Sequence, residues 1–292
     1  MRAYLEQFFE EYGYSERDTG ELLRAYDAIV ANGVAKETWE ALLDTYAADI
    51  NCDLAQMQER AAELSTAVKL HPYTLKLLFY ICLTRQAKVC YAARGLSDTL
   101  FYDTMMDLKY KLIECREVYG ICGSFVCSWF VRFFKLTRFA LGRLQFEVDP
   151  FRHSYEKNGV VLTPESRVIN VHIPRTGTPM DEASCNEAFR LAKAFFASEI
   201  GNAPTAFVCH SWLLFPQHET MLSETSNVYK FMKRFDILES GEYENLSELW
   251  RLFDRPFISV DNLPYDSSLR RAYVDRIKGG GKTGWGYGVF LY

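Results

Sequence analysis

The sequence predicts an α+β protein built in two parts, and two observations carry that reading. Residues 1 to about 140 show almost no β signal, and from Leu141-Gly142 onward short alternating or β-branched runs are mixed with helical ones. The second part reads in the order βββαβαααβ, with helices inserted among the strands of a sheet rather than alternating regularly with them. A chain of 292 residues allows one large or two ordinary domains, and the change of pattern places a boundary at 140/141.

The helical assignments in the first part rest on spacing. Leu5, Phe8, Phe9 and Tyr12 step by three and four, as do Leu22, Leu23, Tyr26, Ile29 and Val30, and then Trp39, Leu42, Leu43 and Tyr46. Asn32-Gly33 separates the second of these helices from the third. Pro72, after His71, sits in a first helical turn where its missing N–H costs nothing. Ser97-Asp98 offers an N-cap for a helix over Thr99–Val118. The pattern predicts a bundle of six or seven helices. Gly120–Val131 (GICGSFVCSWFV) is apolar but too short to span a bilayer and is followed by Arg132, Lys135 and Arg138, so it is expected to be a core helix, with the Arg132–Arg143 row as a helix face.

In the second part, Arg143–Val148 alternates polar and apolar residues, placing Arg143, Gln145 and Glu147 on one strand face before Asp149-Pro150 ends it. Gly159–Leu162 and Val168–Ile173 follow, joined by the turn Pro164–Ser166, and three strands with short connections predict an antiparallel meander. Ala188, Leu191, Ala192 and Phe195 mark a helix that closes at Gly201. Thr205–Leu214 (TAFVCHSWLL) is the most apolar strand and ends before Pro216. Ser226-Asn227 caps a helix running through Phe235, Leu246–Phe253 and Leu269–Lys278 are helical, and Tyr287–Tyr292 is the final strand.

Composition narrows the function. Hydrophobic residues at 49% and charged residues at 24% describe an ordinary globular chain, with aromatics high at 15%. Residues 1–65 hold 14 Asp/Glu and 5 Lys/Arg, a balance of −9, so against the whole-chain −5 the remainder stands at +4. Everything after residue 65 is therefore the better home for an anionic ligand, but its charge is far too small for nucleic acid. Eight cysteines sit mostly among apolar residues, without a CxxC or Cys/His cluster, so no metal site is expected and the thiols suit a reducing cytoplasm. No signal peptide stands at Met1 and no segment is long enough to insert in a membrane.

Val168–Ala194 (VINVHIPRTGTPMDEASCNEAFRLAKA) carries the most chemistry. A strand, a loop bearing Gly177 and a new helix aim backbone N–H groups at one region, which suits a phosphate; an ordinary strand-to-helix connection has the same pattern. His172 shares a strand face with Asn170, and the polar face of Arg143, Gln145 and Glu147 belongs to the same sheet. Such a face is either solvated surface or the floor of an active site with a carboxylate or imidazole as base. Gly281-Lys282-Thr283 is not a P-loop, because Arg276 occupies the position of its first glycine and the segment follows a helix and enters a strand. Gly284, Gly286 and Gly288 instead allow a backbone or a ligand to come close to the last strand. His210 lies on an apolar strand, where a core role is the ordinary one. There is no GxSxG, and a hydrolase using Cys209 or Ser211 with His210 is disfavoured because adjacent strand residues point to opposite faces.

Taken in order, LGRLQFE (Leu141–Glu147), INVHIPRTG (Ile169–Gly177), CHSWLL (Cys209–Leu214) before Pro216, Ser226-Asn227 with Phe231 and Phe235, and LPYDSSLRRA with the closing GYGV (Leu263–Val289) resemble a bacterial acyltransferase family. Its members pair a helical N-terminal acyltransferase domain with a GNAT-like C-terminal domain. The resemblance implies a helical domain over 1–140 and a GNAT-like mixed sheet with flanking helices over 141–292. It also implies an acyl-CoA donor whose pyrophosphate lies on the loop after the fourth strand, here Arg175-Thr176-Gly177-Thr178-Pro179, with one glycine where the superfamily usually has two. Pantetheine would lie between splayed strands Val168–Ile173 and Ala206–Leu213, near Cys209 and Ser211, with Asn227 opening the next helix. The expected activity is transfer of the acyl group from acyl-CoA, or a carrier's phosphopantetheine, to a small-molecule amine or peptide acceptor, with Glu147 or His172 as base. The alternative is a catalytically degenerate module that binds a ligand or partner.

Overall fold

In the computed structural model the chain divides into two compact units, Met1–Phe139 and Ala140–Tyr292. The structure describes residues 1–201, 204–257 and 259–292.

The first unit is helical: α1 (Arg2–Glu11), α2 (Glu16–Ala31), α3 (Gly33–Ala48), α4 (Leu54–Glu63), the single turn α5 (Ser65–Val68), α6 (Pro72–Ala93), α7 (Asp98–Tyr119) and the short α8 (Val131–Phe134). Short polar side chains start them. Ser15, Asn32, Asp53 and Ser97 each accept a first-turn backbone N–H, removing one of the donors a helix N-terminus leaves unmade. The 22-residue α6 is the centre; it is apolar nearly all round, and packs against α2, α3, α4 and α7. Phe79 and Tyr80 of α6, and Trp39, Tyr46, Phe130 and Phe134 outside it, are fully or almost fully buried. The two tyrosine hydroxyls are satisfied locally, Tyr46 Oη donating to Phe134 O at 2.8 Å and Tyr80 Oη to Gln58 at 3.1 Å. Burial pushes the thiols of Cys82, Cys115 and Cys127 up to about 12, so they act as small apolar groups. Among the described residues no helix is long and apolar enough to cross a membrane.

Gly120–Val131 is not the core helix its composition suggests. It is irregular until a 3-10 turn at Cys127–Phe130. Gly123 explains this: a Cβ there would lie 2.5 Å from the Tyr73 carbonyl carbon, and Ser124 N donates to Tyr73 O at 3.1 Å. The segment runs hard against the start of α6, a course a helix with side chains could not follow. Nor is Arg132–Arg143 one helix face, because after α8 the chain turns extended at β1 (Arg138–Leu141).

The second unit holds a six-stranded mixed sheet, in the order β1, β2 (Leu144–Pro150), β5 (Arg167–His172), β6 (Ala206–Ser211), β8 (Gly284–Leu291), β7 (Asp236–Glu242). The expected three-stranded meander does not form. The Gly159–Leu162 segment becomes β4 (Val160–Leu162) and pairs with β3 (Tyr155–Lys157) as a separate hairpin, while β5 returns directly to β2. Asn158 and Gly159 turn the hairpin with φ of 53° and 78°, the left-handed pair a two-residue hairpin loop requires. The helix opened by Ser226 stops at Met232 (α12, Asn227–Met232) rather than Phe235, which frees the chain for β7.

One sheet face is dry. The helix α9 (Glu182–Phe195) lays Phe189 against Phe146, Phe207 and Phe290, with ring centroids 6.0, 4.8 and 5.4 Å away. The other face has an apolar end, where Val168, Val208, Tyr287 and Val289 meet Phe151 and Leu162, and a polar end at β2 and β5. The remaining helices are α10 (Ala197–Ile200), α11 (His218–Met221), α13 (Trp250–Phe253) and α14 (Ser268–Lys278). In β8, a Cβ on Gly286 would stand 2.2 Å from Leu214 O, so here it is the protein's own backbone that comes close.

Candidate active site

The ladder that joins β5 to β6 is the feature from which the site is built. It is the parallel pair of the sheet among those described, and its register holds just Ile169↔Phe207 and Asn170↔Val208. Beyond these, β5 runs on to His172 and β6 to Ser211, but Cys209, His210 and Ser211 take their partners from β8 alone (Gly288, Tyr287 and Gly286). A strand inside a sheet turns alternate N–H and C=O groups to each neighbour. Past Val208, the groups of β6 that face β5 thus border a gap between two diverging strands.

On the polar face beside that gap, Glu147 and His172 meet. The register sets Glu147 opposite Asn170 and Gln145 opposite His172, so the contact is diagonal, His172 Nε2 to Glu147 Oε1 at 2.7 Å. Glu147 and Gln145 are each 1% exposed, which decides between the two sequence readings: this is a covered face, not a solvated one. A carboxylate so deeply buried must be paired, and His172 is one such partner. Beside it Asn170 Nδ2 donates to Asp149 Oδ2 at 2.8 Å. With Glu147 as acceptor, Nε2 of His172 carries a proton, and the imidazole is held in one orientation against the sheet.

The loop after β5 is tied down from both sides. Arg143 donates to Pro174 O at 2.9 Å and to Thr178 O at 3.2 Å, while Thr176 Oγ1 bonds Thr178 Oγ1 at 2.7 Å. Within the loop Thr176 N donates to Pro174 O and Thr178 N to Thr176 Oγ1. Gly177 takes φ +78°, and space is open where its Cβ would be. Arg175 is turned to Asp254, 2.9 Å away, a carboxylate shared with Arg270. The first turn of α9 is capped by Asp181, which accepts Ser184 N at 2.8 Å; these backbone bonds hold its carboxyl below the usual range. Gly177 and Thr176 therefore share one short loop, while Arg175 pairs with Asp254.

Asn227 opens α12, beside the start of α9. With Met180, Asp181, Glu182, Lys230 and Arg234 it lines a crevice of about 10 Å³, room for about one water. Cys209 is fully buried and its thiol is pushed far up by desolvation, so it is no nucleophile. Ser211 Oγ accepts Leu213 N at 3.2 Å and shapes the turn Trp212–Leu214 that ends β6. His210 is not a core residue. It is exposed, with its ring edge-on to Trp285 at 4.7 Å. The alternation of β6 already put His210 on the face opposite Cys209; what sequence could not supply was that this end of the strand is left uncovered.

Two family models divide the chain between them. Residues 3–136 match the N-acyltransferase N-terminal domain, and residues 138–290 match the GNAT-like C-terminal domain. The chain belongs to this GNAT-like family. Among solved structures, its fold is similar to an acyltransferase in complex with decanoyl-CoA and teicoplanin (TM-score 0.74, 21% identity, 98% of this chain and 87% of that one). It is also similar to an acyltransferase mutant bound to octanoyl-CoA (TM-score 0.72, 21% identity, the same coverage) and to an acyltransferase with CoA and 10C-teicoplanin (TM-score 0.73, 20% identity, the same coverage). No curated protein matches the chain.

Proposed function

We propose that the protein transfers an acyl group from acyl-CoA to an amine acceptor, with the donor's pantetheine arm entering between β5 and β6. The observation that carries this reading is the divergence of two parallel strands beside a buried Glu147–His172 pair. An extended thioester lying in the gap can pair with the β6 backbone around Cys209–Trp212 as a further strand would. A backbone N–H there polarises the carbonyl as negative charge develops on its oxygen. The donor's phosphates lie on the Thr176–Gly177 loop, and Asn227 flanks the arm. Arg175 reaches the phosphates by exchanging its Asp254 contact, which leaves Asp254 with Arg270.

His172 takes the proton that the attacking nitrogen sheds, and Glu147 stabilises the imidazolium that results. The acceptor is a small-molecule amine or a peptide, in keeping with the teicoplanin held by two of the similar structures. Membership of an acyltransferase-type family and these CoA complexes support the enzyme over a degenerate binding module. The single glycine of the phosphate loop is the feature that favours the module. Calorimetry separates the two when acetyl-CoA, octanoyl-CoA and decanoyl-CoA are titrated into the full chain and thiol release is followed over an amine panel. The transferase binds at least one donor and releases CoA when an amine is present. Binding without release identifies the module, and no heat at about millimolar donor, where affinity is near 4 kcal/mol, removes the transferase.

A further inference from the structure

The acceptor chemistry demands more than one proton acceptor. An aliphatic amine is an ammonium at neutral pH. To become an amide it must lose one proton before it can attack and a second after the C–N bond forms. The Glu147–His172 pair accounts for one of these.

A second imidazole stands across the gap. Asn170 and Val208 are the last ladder partners of β5 and β6, and His172 and His210 each lie two residues beyond them. Side chains alternate along a strand, so two residues on from paired positions both point to the same face. That face is the polar one: Asn170 and His172 share it with Glu147, and Val208 shares it with Tyr287, the partner of His210 on β8. Parallel strands run about 4.8 Å apart where they pair, so the imidazoles flank the opening at a spacing of roughly that size or more. His172 is mostly covered, whereas His210 is open to solvent.

The geometry points to His210 as a second catalytic base, which takes the first proton from the acceptor ammonium and passes it to solvent. The inference rests on the acyl-transfer reading above. In order, the ammonium gives one proton to the His210 ring, which discharges it to water. The neutral nitrogen then attacks the thioester carbon, forming C–N and moving the C=O π pair to oxygen. The second N–H proton goes to His172. The oxygen pair returns, C–S breaks with its electrons on sulfur, and the sulfur takes that proton from His172. One proton ends in solvent and one on the CoA thiol, which balances the reaction.

The surroundings of His210 suit this step. Arg152 from the β2–β3 connection and Glu239 from β7 are the charged groups that act on it. Trp285 and Tyr287 of β8 pack on its ring, and His153 lies against Tyr287 with Glu239 at 3.5 Å. Partial burial first, and then Arg152, hold the ring below its ordinary value, so it is neutral and able to accept a proton near pH 7.

The test compares two acceptors on the full chain with decanoyl-CoA: hexylamine, an ammonium near pH 7, and methoxyamine, already neutral there. His210→Gln is expected to lower turnover of hexylamine by about tenfold or more near pH 7, to regain most of it as the pH rises towards the amine's own pKa of about 10, and to leave methoxyamine unchanged. His172→Ala should slow both acceptors. Equal loss with the two acceptors, or loss with neither, overturns the assignment of His210 and leaves the transferase intact. If the unsubstituted protein binds no acyl-CoA or acylates neither amine, the transfer reading itself falls and His210 loses this role with it.

Discussion

The two faces of the one sheet, made by alternate residues of the same strands, differ sharply in chemistry. Under α9, Phe146, Phe189, Phe207 and Phe290 close a face with no polar side chain among them. The opposite face, built by the alternate residues of the same strands, carries Gln145, Glu147, Asn170 and His172, with His210 at its margin. Each Phe on the dry face adds apolar burial at about 25 cal/mol per Å². A buried carboxylate adds nothing of that kind and has to be held by partners to be tolerated. A strand alternates by geometry, but nothing obliges the second face to be both covered and polar. That combination is what separates a chemical surface from a structural one.

Substitutions on the two faces should therefore fail in different ways. Phe207→Ala empties a fully buried position and is expected to cost about 3–5 kcal/mol in chemical denaturation, with turnover per folded molecule little changed. A loss of turnover at full stability would break the contrast. A second large effect comes from the start of α11, where His218 is completely buried between Leu213 O (3.3 Å) and Tyr273 Oη (2.7 Å). Burial holds its imidazole down at about 4, against 6.5 when unfolded. The unfolded chain thus binds the proton first. Stability from this group is complete above about pH 6.5 and drains away towards pH 4, by up to about 3 kcal/mol. Melting temperatures across that window should fall on acidification, and His218→Gln, less stable throughout, should show a flatter slope.

Gly286→Ala drives a methyl into Leu214 O, and a melting curve should register about 1–3 kcal/mol of destabilisation. Glu147→Gln keeps shape on the polar face and should cost little stability but slow acyl transfer by tenfold or more, about 1.4 kcal/mol of barrier. Comparing it at several pH values with His172→Ala sharpens the point. If neither lowers turnover tenfold, the base lies elsewhere.

Much of this was readable from residue order. Apolar spacing located α1, α2 and α3, because a helix that buries one stripe must repeat it every three to four residues, while Pro72 and the Ser97 cap marked the starts of α6 and α7. The alternation through Gln145, Glu147, Asn170 and His172 marked the polar face. Other parts lacked a local signal. The strand β7 is an edge with most residues half-buried or exposed, so its sequence DILESGE has no alternation to find. Asn158-Gly159 suits a two-residue hairpin loop, but the strand before it, Tyr155–Lys157, is only three residues long and has no alternation to mark it. The diagonal contact of His172 with Glu147 depends on register, and the pairing of Arg175 with Asp254 joins residues far apart in the chain. No pattern within a window of residues encodes either. The gap between β5 and β6 is likewise a fact about where a ladder stops.

That gap is the centre of the account, and amide NMR of the isotope-labelled protein titrated with CoA examines it most directly. If the donor lies between the strands, the largest shifts should fall on Thr176, Gly177 and the Cys209–Trp212 backbone, with smaller ones at Asn227. Saturating CoA that leaves those amides in place while shifting residues of the helical unit would contradict it.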